Sequence, residues 1–350
     1  GRVAELAADD ETATASYEDW LALARRLEDP DQIHRSRIRL GESLLAGGRF
    51  AEASQLAGRY DGAPGYWTRF AADLFAGCAA AGLGDHEAAL AHHARAAGML
   101  RPDAPLGLRA RLHLERARSL LALRRPGEAW RALDRITLAP DGPEAGDRAE
   151  VHRAFHRPLR REIAEVRLEL LADHPDAVPG GDAVLAGLAV ATDLNWRVDP
   201  GRAAPGVDEL AAVAREADGP VVVYFVGDRR VFGWHTAAGE WRRFEIEDRA
   251  GFLALVTAVQ TDMGAPGRTV DWQAASRLAG RLLDPVLPFW PDGRTLALMA
   301  PPPLDDLPWP ALPLPLPLPL PGRADAPQGA APGALIDHGA VVHVADLARW

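Results

Sequence analysis

The chain has 350 residues, 48% hydrophobic and 25% charged, with a formal net charge of −10. That is length enough for about two soluble domains. The acidic balance argues against a nucleic-acid-binding chain, although arginine-rich local faces remain compatible with it. The single cysteine, Cys78, excludes a disulfide framework and a Cys-rich zinc site, and no lysine occurs, which excludes a P-loop and Schiff-base chemistry.

In chain order, an opening helix is expected near 16–28. Residues 37–60 then place Leu40 and Gly41 on one helix, a turn at Gly47-Gly48-Arg49-Phe50, and Ala53 on the next helix. Residues 73–102 repeat this with Gly77, a turn at Gly84-Asp85-His86, Ala89 and Ala96, and Pro102 beyond the helix. Gly41 to Gly77 and Ala53 to Ala89 are both 36 residues. Small residues at such positions let antiparallel helices approach closely. A third unit runs from a helix at 107–123 through Arg125-Pro126-Gly127 to Glu128, Ala129 and Leu133. Pro126 suits a first helical turn, where no intrahelical N–H is lost. A fourth pair is expected at 144–156 and 158–173, with Pro158 at a start or kink.

The spacing and the small residues resemble tetratricopeptide (TPR) repeats. Most aromatic positions of that family are missing; His93 and Ala57 stand where an aromatic is common. The resemblance implies a superhelix whose concave face binds a protein or peptide. An array that only packs on its own C-terminal domain is the other reading.

Around 176–219 the composition shifts to Pro, Gly and Asp, with helical patches at 183–193 and 207–217, which reads as a boundary. A strand-like period follows. Val221–Val226, 231–236 and 241–246 alternate with turns at Gly227-Asp228-Arg229 and Ala238-Gly239-Glu240, predicting a three-stranded meander. Helices are expected over 247–262 and 271–284, then a buried strand at 295–299 and another at 340–344.

The ordered motifs here are Leu282-Leu283-Asp284-Pro285-Val286-Leu287-Pro288, Arg294 to Pro301, Leu307-Pro308-Trp309-Pro310-Ala311-Leu312-Pro313 and the strand around Val341. With the meander they resemble the first half of a CHAT domain, a caspase-like cysteine peptidase module that often follows TPR repeats. The expected fold is therefore an α-helical TPR-like superhelix followed by an incomplete α/β, caspase-like domain with an antiparallel β-meander. Residues 1–175 are assigned to the repeats, 176–204 to a linker or helical connection, and 205–350 to the N-terminal part of the CHAT domain.

The resemblance implies a His followed by a Cys at the ends of neighbouring parallel strands. Neither maps onto this chain, so the dyad is expected beyond Trp350. The first residues lack an initiator Met and a signal-peptide pattern, and the chain is expected to be a fragment of a bacterial, cytoplasmic protein. No apolar run reaches the length of a membrane span.

No residue is nominated as catalytic, cofactor-binding or metal-ligating, and no cofactor is expected. Cys78 reads as a small core residue within a helix. His338 and His343 precede the position of the family's catalytic His, and His343 alternates with Val342 and Val344 as a strand residue does. His152 and His156 share a helix face without a third ligand. His86, His92 and His93 occupy a repeat turn and helix. Asp305 and Asp306 are expected to face solvent, and Leu312 to Pro321 reads as an extended surface insertion. The favoured function is repeats that recognise a protein partner and regulate a caspase-like peptidase whose dyad lies downstream. The alternative is a non-catalytic helical-repeat adaptor with a degenerate CHAT domain.

Overall fold

A computed structural model describes residues 10–59, 66–101, 104, 106–136, 157–177, 182–195, 207–264, 269–290, 294–313 and 341–343. These fall into two compact units, one up to Val166 and the other from Arg167. The first is helical. The second combines helices with a five-stranded mixed sheet.

The first unit contains α1 (Asp10–Arg26), α2 (Pro30–Ala46), α3 (Phe50–Gly58), α4 (Tyr66–Gly82), α5 (His86–Gly98), α6 (Leu106–Ala122), α7 (Pro126–Asp134) and the start of α8 (Arg157–Asp173). Four of its turns share one device. Glu28, Gly48, Gly84 and Arg124 adopt left-handed backbone, with φ of 53°, 70°, 85° and 56°. The amide of the next residue then reaches a carbonyl five positions back: Asp29 to Ala24, Arg49 to Leu44, Asp85 to Ala80 and Arg125 to Leu120, at 2.8–3.2 Å. This is the Schellman closure, which satisfies carbonyls that a helix end leaves bare. Asp29 and Asp85 cap the following helices by accepting from the amides of Gln32 and Ala88 at 3.1 and 3.0 Å. At the equivalent place Arg49 and Arg125 instead grip Glu52 and Glu128, three residues on.

A left-handed conformation costs a residue with a Cβ about 1–2 kcal/mol, and glycine pays almost none of it. Arg124→Gly is accordingly expected to stabilise the first unit by up to about 1 kcal/mol, less what glycine gains in the unfolded chain. Gly84→Ala is expected to weaken it by about the same amount. The cost at Gly84 is conformational, because an added Cβ meets nothing within 4 Å. Urea midpoints of the two variants check both signs.

The small positions expected from the sequence lie in the core. Ala53, Ala89 and Ala129 are 1%, 0% and 0% exposed. A Cβ at Gly41 would stand 2.9 Å from the Phe75 ring, and one at Gly77 would stand 2.4 Å from the His93 ring. Gly41 thus receives a ring from the next helix pair, and Gly77 a ring from its own partner helix. The opening helix starts earlier than expected and contributes Ala13, Tyr17 and Leu21 to the core around Leu40, Leu44 and Leu56. The predicted helix at 144–156 lies outside the described residues.

The second unit adds α9 (Ala183–Asn195), α10 (Val207–Glu216), β1 (Val221–Val226), β2 (Val231–Ala237), β3 (Glu240–Ile246), α11 (Arg249–Gly264), α12 (Trp272–Leu283), β4 (Leu296–Met299) and β5 (Val341–His343). The strand order is β3-β2-β1-β4-β5. The meander pairs are antiparallel, whereas β1–β4 and β4–β5 are parallel. Val222, Tyr224 and Val226 face a core shared with α11 and α12. On the opposite face, Trp234 lies against Gly187 of α9, near Leu168. Two covered faces explain why β1 and β2 read as continuous apolar runs rather than alternating ones.

The stretch that composition marks as a boundary contributes to this unit. Helix α9 packs on β1 and β3, and α10 on β3. The Trp241 indole donates to the Leu210 carbonyl at 2.7 Å. Helix α9 is apolar on nearly every side, which suits burial against a sheet.

Candidate functional site

The ordered motifs of the C-terminal half converge on one core. Two short 3-10 turns, Leu304–Asp306 and Trp309–Ala311, fold the Leu-Pro-Trp segment beneath the sheet. Trp309 is fully buried and stacks on Tyr224 of β1, with centroids 5.8 Å apart and planes at 28°. Its indole donates to the Leu304 carbonyl at 2.9 Å. The Tyr224 hydroxyl donates to the Leu282 carbonyl at 2.8 Å, tying in the first motif. Burial pushes the Tyr224 phenol far above its usual range, so it remains a neutral donor. Gln260 of α11 adds a bond to the Pro303 carbonyl at 2.6 Å. These residues anchor one another in the core. Asp306 is exposed as expected, whereas Asp305 is half-buried, because the turn folds back onto the core.

Cys78 is half-buried beside the cluster of Phe70, Leu74 and Leu112. Burial first, and then the Glu115 carboxylate, push its thiol up to about 12. A thiol in that state is inert as a nucleophile at neutral pH. His92 and His93 separate rather than converge. The His92 Nδ1 pairs with Asp73 at 3.1 Å, and Arg95 shares the same carboxylate. His93 is fully buried, and neither ring nitrogen has a hydrogen-bond partner among the described residues. Among the described residues, no group of three or more His, Cys, Asp or Glu could hold a metal ion. His343 lies in β5. His152, His156, His338 and the run after Pro313 lie outside the described residues.

A different feature emerges between α6 and α7. Helix α6 carries Arg109, His113 and Arg116 at i, i+4 and i+7, which is one face of a helix, and Arg131 of α7 is followed at i+4 by Arg135, which caps that helix. Arg116, Arg131 and Arg135 line a small cleft of about 60 Å³ together with Leu120, Ala132 and Glu128. Leu120 and Ala132 are buried and form an apolar floor. Glu128 is already held by Arg125 at 2.6 and 2.8 Å. That bond holds its carboxyl below the usual range, and the Arg125, Arg131 and Arg116 charges add to the effect. His113 registers the same field: burial lowers its imidazole first, followed by the charges of Arg135, Arg116 and Arg109.

Arg109, Arg116, Arg131 and Arg135 form no salt bridge among the described residues, whereas Arg39, Arg49, Arg111, Arg118 and Arg125 all do. The i, i+4 arginines were visible in the sequence. Their convergence was not, because it needs two helices to meet.

No helix among the described residues is long and apolar enough to cross a membrane. No protein-family model matches the chain, and no curated protein matches it.

Proposed function

We propose that this chain is the recognition portion of a cytoplasmic protein of the TPR–CHAT type. Its helix pairs bind a protein partner, and its second unit is the opening part of a caspase-like cysteine peptidase domain. The observation that carries the reading is Trp309. The tryptophan of the Leu-Pro-Trp segment stacks on the first strand of the meander, so motifs far apart in sequence act as parts of one core. The repeated small positions Gly41/Gly77 and Ala53/Ala89/Ala129 support the recognition half.

The peptidase chemistry has no nucleophile in this chain. A cysteine peptidase needs a thiolate and a histidine to exchange its proton. The one cysteine is held protonated by burial, and no histidine is among the groups that shift it. The purified chain is expected to show no thiol-dependent cleavage of fluorogenic peptides. Cleavage that disappears in Cys78→Ala would overturn the proposal. Reading the gene past the codon for Trp350 separates the two forms of the proposal. A His followed by a Cys, each at a strand end, favours a regulated peptidase. A continuation without the pair favours an adaptor that uses the same helices to hold its partner.

A further inference from the structure

We propose that the cleft between α6 and α7 docks an acidic segment of a partner protein. The inference rests on the reading that the helix pairs bind a protein, and it names the chemistry of what they bind. Arg116, Arg131 and Arg135 converge on the cleft, and Arg109 extends the same face of α6. None of the four is neutralised by a carboxylate in a salt bridge among the described residues, in a chain whose acids outnumber its bases by 49 to 39. Guanidinium groups are weakly hydrated and match carboxylates with paired N–H donors. They are therefore suited to meeting side chains of Asp and Glu.

The remaining walls specify a peptide rather than a polynucleotide. The floor of Leu120 and Ala132 offers aliphatic contact to a side chain between two acids. Glu128 contributes a carboxylate to the lining, which can accept a backbone N–H from a peptide, a donor that a phosphodiester backbone lacks. Among the described residues no aromatic side chain lines the cleft, so bases find no stacking platform there. The net charge of −10 further opposes a long polyanion. Arg109 and Arg116 lie about 10 Å apart along the helix axis, from the rise per residue. An extended peptide covers that distance in about three residues, room for two or three carboxylates.

The test is fluorescence anisotropy with the whole chain and three labelled probes. One is a peptide of glutamate and leucine in equal number, one a lysine–leucine peptide of the same length, and one an oligothymidine of the same charge as the first. The glutamate peptide is expected to bind, and to bind less tightly as salt rises. Charge reversal of the exposed pair, Arg131→Glu with Arg135→Glu, is expected to weaken it by about tenfold or more, as rim and cleft charges do at steered interfaces. Arg109→Gln gives a smaller loss and guards against misfolding of the double variant. Arg35→Glu, on α2, leaves affinity unchanged. Equal affinity in wild type and the double variant overturns the inference, as does tighter binding of the oligothymidine. If the lysine peptide binds the chain and the glutamate peptide does not, the cleft assignment fails while partner recognition stands. If neither peptide binds, the acidic-segment inference is overturned, while the repeated small positions still support partner recognition.

Discussion

Trp309→Ala is expected to lower the stability of the second unit by about 3–5 kcal/mol, the range for removing a large buried aromatic. Trp309 is 0% exposed and stacks on Tyr224 at 5.8 Å. It sits in one cluster with Leu304, Leu307 and Leu312 from its own segment, Val256 from α11 and Leu282 from α12. Truncation would therefore leave a cavity that several elements must collapse to fill. It would also leave the Leu304 carbonyl without the indole donor that now reaches it at 2.9 Å. Trp309→Phe keeps most of the ring and loses the donor, so its expected cost is smaller, about 1–3 kcal/mol. Hydrogen exchange resolved by peptide is the suitable measurement, since it reads each unit separately. Protection should fall in β1 and α12 and stay unchanged in α4 and α5. A loss below about 1 kcal/mol would mean that the Leu-Pro-Trp segment behaves as a surface loop, and would remove the main support for the peptidase-type reading.

The meander was legible because its turns are local. The expected strands at 231–236 and 241–246 appear as Val231–Ala237 and Glu240–Ile246. The chain reverses between them at Ala238 and Gly239, whose φ of 52° and 82° suit the right-handed twist of a hairpin. The helix pairs were legible for a similar reason: a glycine at a left-handed helix end and small residues in the core leave marks at fixed offsets. Where arginine or glutamate occupies the left-handed position, at Arg124 and Glu28, that mark is absent although the turn is the same.

What the sequence concealed depends on partners distant along the chain. The register that sets β4 beside β1 joins Val222 to Leu298 across the meander and two helices, and no local pattern encodes it. The region 176–219 is punctuated by proline and glycine, so it reads as a connection, yet α9 closes one face of the sheet. The arginine cleft has the same character. A chain of net charge −10 gives no hint that Arg116, Arg131 and Arg135 meet at one cleft, because that outcome depends on which helix faces align. The Leu-Pro-Trp segment was legible as a short motif, but the aromatic stack that joins its Trp309 to Tyr224 of the meander became apparent only in three dimensions.

Acidification is expected to destabilise the first unit by about 3 kcal/mol, through His93. The ring is 0% exposed and lies against Gly77, where even a methyl group would stand 2.4 Å from it. Burial, followed by the charges of His92 and Arg116, lowers its pKa from 6.5 to about 4. The sign follows from proton binding. Between those two values the unfolded chain binds a proton at this position and the folded chain does not, so stability falls as pH falls. The effect is absent above the unfolded value, develops as pH drops below it, and levels off below about 4. The lowered His113, in the same unit, acts with the same sign. His93→Leu removes the titrating ring, and with it two buried nitrogens that have no partner among the described residues. At neutral pH its stability should stay within about 1.5 kcal/mol of wild type, as for a substitution of similar volume. Its loss between pH 7.5 and pH 4 should be smaller than that of wild type by about 3 kcal/mol. Denaturant unfolding followed through α4 and α5 peptides at both pH values decides it. Parallel losses in the two proteins would show that the acid sensitivity of this unit arises elsewhere, with His113 the next group to replace.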